Sequence, residues 1–308
     1  MQKELILILT PAQANDWHEV KKVAAYSLRV DVKDVSYIQP LKRSVDARKY
    51  PAKIRLKALV YFNESAPEKL EISREYPNIS GKEEVLIIGC GPAGMFAALK
   101  LIELGKKPII IERGKDVKSR RRDLAAINKQ HIVNPDSNYC FGEGGAGTYS
   151  DGKLYTRASK RGSIESILET LVAHGAKEDI LYEAHPHIGT NKLPKVVQSM
   201  RESILNAGGE IHFNTRIEDL IINQNKVSGV ITQNGDKIEA KNVILATGHS
   251  ARDIYELLHK KSVLIESKPF AIGVRVEHSQ DLIDSAQYKC NNRGPYLPPA
   301  SYSLVKQV

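Results

Sequence analysis

The sequence has few cysteines and no long apolar run. Its three cysteines are scattered and form no CxxC pair, so neither a disulfide framework nor a zinc site is indicated. Apolar runs such as residues 5–9 are far too short to span a bilayer. No cleavable signal is evident, because that first run leads directly into Thr10, Pro11 and a polar helix. We therefore expect a cytoplasmic protein with no membrane segment. The cysteines are Cys90, Cys140 and Cys290.

Negative charge is in short supply: 36 Asp and Glu face 45 Lys and Arg, for a net charge of +9. Residues 106–122 carry eight of the basic residues against only Glu112 and Asp116. Such a run is most often a solvated face, and the alternatives are a pocket for ligand phosphates or an anionic substrate, and an RNA surface. The absence of RRM, KH and zinc signatures makes nucleic acid the least favoured partner.

A dinucleotide fingerprint dominates what is present. Residues 85–88 predict a buried parallel strand, and Gly89, Gly91 and Gly94 follow with GxGxxG spacing at the start of a helix. The glycines permit a tight turn, close approach of backbone N–H groups to a diphosphate, and close packing of helix on strand, in that order. The helix N-terminus favours the negative charge of a diphosphate.

A second apolar strand ends on Glu112. Its carboxylate can accept two hydrogen bonds from a ribose diol, and an acid at a place where a 2′-phosphate would be repelled favours FAD or NAD over NADP. Because the acid is at a strand tip, we expect its removal to weaken cofactor binding with little effect on folding.

Two later segments fit the same site. Residues 142–152 contain five glycines, which favours a loop lying against a flat ligand over a flexible surface loop. Ala246, Thr247 and Gly248 end a buried strand that begins at residue 243, and small residues there let a ligand pass the sheet edge.

The flanking regions predict further domains. Residues 1–80 have the pattern of a small α+β domain, with a helix that begins at Asp16 and a half-buried strand over residues 54–62. Ser44 to Arg48 is more readily a polar turn than a contact surface, and residues 63–84 have the composition of a linker.

The remaining chain predicts a split cofactor domain over residues 83–262, with an insertion around 155–208, followed by residues 263–308 as the start of a substrate region. Ser163 caps one predicted helix and Pro194 opens another. Asn234-Gly235 marks a hairpin in the β-rich part after residue 210.

Three histidines lie near the predicted site motifs or in a conspicuous pair. His185 and His187 lack a third ligand at useful spacing, so we expect no metal and ordinary loop histidines, with a pocket-lining role as the alternative. His249 follows the Ala-Thr-Gly segment and is the best-placed candidate acid or base, although a solvated histidine at a helix start is the simpler interpretation.

These motifs together resemble the glutathione-reductase-type FAD-binding superfamily. More narrowly, residues 141–154, 186–190 and 268–275 resemble bacterial FAD-dependent dehydrogenase-like flavoproteins, with residues 44–48 fitting that group's N-terminal domain. The resemblance implies that FAD is bound non-covalently by a set of residues from the fingerprint, the glycine-rich loop and the late strand. That set is Gly89, Gly91, Pro92, Ala93, Gly94, Glu112, Arg113, Gly144, Gly145, Ala146, Gly147, Thr148, Ile217, Ala246, Thr247 and Gly248.

The sequence as a whole predicts an α/β protein: a doubly wound, Rossmann-like FAD-binding domain, a small N-terminal α+β domain and a β-rich substrate region. The predicted function is an FAD-dependent oxidoreductase that transfers a hydride between flavin and a small-molecule substrate, with NAD(P)H as a transient electron donor, since no second glycine triplet is present. The alternatives are a basic flavoprotein acting on RNA and a truncated, impaired FAD-binding protein. The truncated form is an alternative because the late Gly-Asp pattern of the family is not found after Gly248.

Overall fold

The computed structural model describes residues 1–68, 71–154, 162–270, 272–274, 276–302 and 304. Ala271 and Arg275, in the segment that carried part of the resemblance, lie outside these. The chain forms two compact units, and the segment that begins at Pro269 belongs with the N-terminal one. The first unit contains Met1–Glu71, Glu178–Pro186 and Pro269–Val308, and the second contains Ile72–Lys177 and His187–Lys268.

The first unit is built on a three-stranded antiparallel sheet in the order β1–β3–β2. The alternation predicted for the central strand is confirmed, because every second residue of β3 from Ile54 to Val60 is buried. Helix α1 begins as expected: the Asp16 carboxylate accepts a hydrogen bond of 2.8 Å from the N–H of His18. The elements of this unit are β1 (Gln2–Leu9), α1 (Trp17–Leu28), β2 (Val35–Asp46), β3 (Lys53–Phe62) and, late in the chain, α7 (Gln280–Tyr288).

The core of the first unit joins residues from both ends of the chain. Tyr288, Leu297 and Ala300 are buried in the same apolar cluster as Leu9 of β1 and Ala24 of α1. The Tyr288 hydroxyl donates a hydrogen bond of 2.9 Å to the carbonyl of Pro298. The segment after Pro269 therefore contributes to the core that the N-terminal strands begin.

The second unit contains a parallel sheet in the order β10–β4–β5–β6. The chain leaves β4 toward β5 on one side, and β10 later pairs with the other side of β4. In such sheets ligands bind outside the carboxyl ends of the strands where the order reverses. The four strands are β4 (Glu84–Ile88), β5 (Lys107–Ile111), β6 (Glu210–His212) and β10 (Val243–Leu245).

A separate antiparallel sheet, β7–β8–β9, belongs to the second unit, and its described residues also form five α-helices. The predicted Asn234-Gly235 turn does connect β8 to β9, and Gly235 has the positive φ of 84° that such a turn requires. The strands are β7 (Ile217–Asn223), β8 (Lys226–Thr232) and β9 (Lys237–Glu239). The helices are α2 (Pro92–Glu103), α3 (Val117–Gln130), α4 (Ile164–Ala173), α5 (Leu193–Asn206) and α6 (Arg252–Lys260).

The predicted starts of two helices are confirmed, and the predicted extent of one strand is wrong. Ser163 caps α4 by accepting from the N–H of Ser166, and Pro194 lies in the first turn of α5. The interpretation of Ser44 to Arg48 as a polar turn is wrong for residues 44–46, which extend β2 and pair with β3, although the expected local hydrogen bonds are present where Arg48 donates to Asp46. Their polar side chains concealed the strand, since an edge strand tolerates polar residues on its open side.

None of the helices in the described ranges has the length and apolar character needed to cross a bilayer.

Candidate functional site

A cleft of about 490 Å³ opens within the second unit at the carboxyl ends of β4 and β10. Its walls come from five stretches that are far apart in sequence: the glycine turn after β4, the end of β5, the glycine-rich loop before residue 148, residues 215–217, and the segment after β10. Most of the residues that the sequence singled out line this cleft. They are Gly89, Gly91, Pro92, Ala93, Glu112, Arg113, Gly145, Ala146, Gly147, Ile217, Ala246, Thr247, Gly248 and His249.

Three predicted cofactor residues do not line the cleft. Gly94 lies in α2, where a Cβ would be 1.9 Å from the carbonyl oxygen of Gly89, so its role is close helix–strand packing. The N–H of Gly144 donates a 2.8 Å hydrogen bond to the carbonyl of Cys90. The Thr148 hydroxyl is shared by the carbonyls of Glu143 and Gly145, each 3.1 Å away. These two residues shape the loop beneath the cleft.

Two glycines in the cleft wall have no structural need to be glycine. Gly91 has an ordinary φ of −77°, and a Cβ there would meet nothing nearer than 3.9 Å. A Cβ on Gly147 would have no neighbour within 4 Å. By contrast, a Cβ on Gly89 would lie 2.5 Å from the carbonyl oxygen of Ala246. The bare backbone at Gly91 and Gly147 is therefore available to a ligand, and the cleft fits a dinucleotide diphosphate approached by N–H groups at the start of α2.

Glu112 holds the cleft together through its side chain. One carboxylate oxygen, Oε2, accepts a 2.7 Å hydrogen bond from the N–H of Cys90, and the other, Oε1, accepts from the N–H groups of Gly114 and Gly142 at 2.8 and 3.0 Å. The residue is only 4% exposed. The structure thus changes the expectation that Glu112 is a strand-tip acid irrelevant to folding, because three backbone donors from three segments depend on it.

Arg113 and Arg216 form a charged cluster beside the same wall. The Arg113 guanidinium lies 4.2 Å from the ring centroid of Phe141 and donates to Asp136 at 2.7 Å and to Asp253 at 3.0 Å. Arg216 donates to the same Asp136 carboxylate at 3.1 Å. The cluster fixes the positions of Phe141, Arg113 and Arg216, all of which line the cleft.

A buried arginine supports the glycine-rich loop from below. Arg120 of α3 has no solvent exposure, and its guanidinium donates to the carbonyls of Asn138, Glu143 and Tyr139 at 2.8, 2.9 and 3.0 Å. Burial lowers the pKa of Arg120 from its ordinary value. The interpretation of this basic run as a solvated face is therefore wrong at Arg120, because the side chain is an internal hydrogen-bond donor of the loop.

Glu143 is the second buried acid of the site. Its side chain has no solvent exposure, and its Oε2 accepts from the N–H of Val117 at 2.6 Å and from Arg201 of α5 at 2.9 Å. The other oxygen, Oε1, is buried without a hydrogen-bond partner among the described residues. Burial raises the pKa of Glu143 to about 7.

The histidines have different surroundings. His249 is exposed and lines the cleft next to Gly248. His187 forms an isolated antiparallel bridge with Lys153 through its backbone. Within the part of the chain that the structure describes, no group of three or more His, Cys, Asp or Glu side chains could hold a metal ion.

Sequence reasoning missed several residues that build the site. Phe141 and Arg216 line the cleft, and Arg120 and Glu143 support it. Phe141 and Glu143 lie next to glycines that the sequence analysis assigned to the ligand loop, and this proximity was the signal that could have identified them. Arg216 and Arg120 carried no local signal, because an isolated arginine that is buried looks the same in sequence as one that is solvated.

The family comparison agrees with this site. The family model described as "FAD binding domain" matches residues 82–252, more than half of the chain, and the chain belongs to this family. The matched range spans the whole parallel sheet and all of the described cleft lining except Asp253 and Ile254. Residues 269–308 match "FAD-dependent protein, C-terminal domain-like", and residues 1–61 match a domain of unknown function.

Individual proteins show weaker or partial similarity. An uncharacterized protein of Clostridium beijerinckii is 39% identical over 311 residues, which takes in 95% of this chain but 57% of that protein. The thiamine thiazole synthase of Aeropyrum pernix is 25% identical over 218 residues, covering 66% of this chain and 67% of the synthase.

Among solved structures, THI4 of Thermovibrio ammonificans is 17% identical with a TM-score of 0.39, covering 60% of this chain and 64% of that one. Glycine oxidase of Bacillus cereus is 21% identical with a TM-score of 0.30, covering 59% of each chain.

Proposed function

We propose that this protein is an FAD-dependent oxidoreductase whose cofactor occupies the cleft at the carboxyl ends of β4 and β10. The observation that carries the proposal is the convergence of three small-residue segments on one cleft, two of which present bare glycine backbone that the fold itself does not require. Membership of the FAD binding domain family supports FAD over NAD as the dinucleotide.

The residues of the cleft would divide the binding of FAD among them. Gly91 and Gly147 leave room for the diphosphate, and the N-terminus of α2 offers N–H donors and a favourable dipole. Glu112 keeps the turn after β4 and the loop at Gly142 in register. FAD, once bound, supplies the hydride chemistry, while the chain binds, orients and shields it.

We further propose that the substrate is a small molecule and that NAD(P)H acts as a transient electron donor. His249, which is exposed and lines the cleft, is the candidate for a proton-transfer role. The chain spans 57% of the length of its Clostridium beijerinckii relative. The activity and the substrate are therefore proposals.

The test begins with the cofactor. The protein as purified, with no FAD added, is precipitated with acid, and the supernatant is separated by chromatography; a second sample is titrated with FAD. We expect FAD in the supernatant, and anaerobic addition of NADH or NADPH should then bleach the flavin absorption of the complex. Release of NAD, flavin retained in the pellet, or failure to bind FAD would contradict the proposal.

A further inference from the structure

Behind the cleft wall, the buried carboxyl group of Glu143 has an unusual environment. Its side chain is 0% exposed, yet Oε1 has no hydrogen-bond donor among the described residues. The other oxygen is bonded to the N–H of Val117 and the guanidinium of Arg201. A buried ionised carboxylate with one oxygen unsatisfied is costly, and a proton on that oxygen removes the charge that makes it so.

The charged groups that face Glu143 have opposing effects. Arg201, from α5, favours the ionised form. Asp116, at the start of α3, and Glu112, at the end of β5, disfavour it because like charges repel.

Three further titratable side chains surround Glu143. Arg120 of α3 donates to its backbone carbonyl rather than to its carboxyl group. Tyr149 lies in the same loop region and interacts electrostatically with Glu143. The Cys90 thiol follows β4, and burial raises its pKa well above the ordinary value, so it stays neutral.

Glu143 is close to the proposed diphosphate site through the backbone. The next residue, Gly144, donates its N–H to the carbonyl of Cys90, which immediately precedes Gly91. Gly142 and Gly145, on either side of this pair, both line the cleft. A diphosphate in the cleft therefore adds negative charge next to the short segment that carries Glu143.

We infer that Glu143 takes up a proton from solvent when a dinucleotide diphosphate binds in the cleft, so that binding of FAD and protonation of this buried acid are coupled. The inference rests on the proposed function and adds to it a positioning residue with a pH-dependent charge. Negative charge near an acid increases its proton affinity, and by linkage the proton increases the affinity for the anion.

The sign of the pH dependence follows. Burial places the pKa of Glu143 at about 7 before the ligand binds, and the diphosphate raises it further. Below that pKa the carboxyl group of Glu143 is already neutral, and binding of the diphosphate takes up no proton. Between that pKa and the higher pKa of the complex, binding takes up a proton, so the dissociation constant for FAD increases with pH, by up to about tenfold per pH unit for one coupled proton; above the pKa of the complex it no longer changes.

Calorimetry tests the coupling directly. FAD is titrated into the full chain near neutral pH in two buffers with different ionisation enthalpies, and the difference in observed heat gives the number of protons taken up. ADP-ribose, which carries the same diphosphate diester without a flavin, is the second probe. We expect net proton uptake with both, a dissociation constant that rises with pH, and loss of both effects in Glu143→Gln. Glu202→Gln, an exposed acid on α5, is the matched control and should behave like the wild type.

The possible results separate the two proposals. Binding of FAD without proton uptake, or equal uptake in wild type and Glu143→Gln, overturns the coupling and leaves the proposed function intact. Binding of ADP-ribose with proton uptake but no binding of FAD overturns the proposed function and supports the coupling. Binding of neither probe overturns both. If Glu143→Gln does not fold, infrared difference spectra of the wild type decide, because coupling requires a protonated carboxyl band to appear on binding.

Discussion

The backbone N–H of Cys90 donates a 2.7 Å hydrogen bond to Oε2 of Glu112. This contact joins the glycine turn after β4 to the end of β5, and the second oxygen of the same carboxylate joins both to the loop at Gly142. An acid expected to serve a ribose thus uses most of its acceptor capacity within the protein. The relative positions of these three cleft segments therefore depend on the side chain of Glu112.

Glu112→Ala should lower the free energy of unfolding by roughly 2–4 kcal/mol, because three buried N–H groups lose their acceptor. Urea denaturation followed by circular dichroism measures this. Glu84→Ala is the matched control: it removes an acid whose side chain is 56% exposed and paired with Lys107, and should change stability by less than about 1 kcal/mol. Equal stability of Glu112→Ala and wild type would contradict the assigned role.

Gly91→Ala should leave folding intact and weaken FAD binding at least about tenfold, because the added methyl group meets no protein atom closer than 3.9 Å and points to where a ligand would approach. Flavin fluorescence titration gives the dissociation constant. Gly273→Ala adds a methyl group in open space outside the cleft and should bind FAD like the wild type. An unchanged dissociation constant in Gly91→Ala would place the diphosphate elsewhere.

Arg120→Met should destabilise the second unit by roughly 2–5 kcal/mol, since the carbonyls of Asn138, Tyr139 and Glu143 lose a shared donor. Arg122→Met, on the exposed face of the same helix, serves as control and should have almost no effect. Thermal unfolding of both variants provides the comparison. If the two substitutions prove equivalent, Arg120 does not support the loop.

Tyr288→Ala should destabilise the first unit by roughly 3–5 kcal/mol, because it opens a cavity in a core where the side chain is 6% exposed. Tyr288→Phe should cost only about 1 kcal/mol, the value of its hydrogen bond to Pro298. Tyr26→Ala, at a position 86% exposed, is the control. Limited proteolysis of the N-terminal strands reports the change, and unaltered protection in Tyr288→Ala would show that α7 is dispensable.

Local patterns predicted the elements around the site because each has its own sequence signal. The apolar run before Gly89, the glycine spacing and the late Ala-Thr-Gly segment each indicate a strand end, and parallel strands bring their carboxyl ends to one edge. This rule explains why the segments that follow these strands meet at one cleft. The assignment of FAD contacts to individual residues stays a prediction.

Long-range contacts left no comparable signal. Arg120 belongs to a basic run, and only the fold reveals that it alone among its neighbours is directed toward three loop carbonyls. Tyr288 packs against strands at the opposite end of the chain, and no periodicity records that partnership. Glu143 occurs in a stretch recognised for its glycines, yet its burial depends on Arg201 and Val117 from two other elements.

The shared core of the first unit has a consequence for biosynthesis. The N-terminal strands leave the ribosome first, whereas Tyr288 and Leu297, which pack in the same apolar core, are made only after the whole second unit. Contacts between residues so far apart in sequence form slowly, and apolar surface left open in the meantime attracts chaperones or other chains. We therefore expect nascent chains that have not reached α7 to depend on chaperones, and resistance of the N-terminal sheet to protease to appear as a late event of translation.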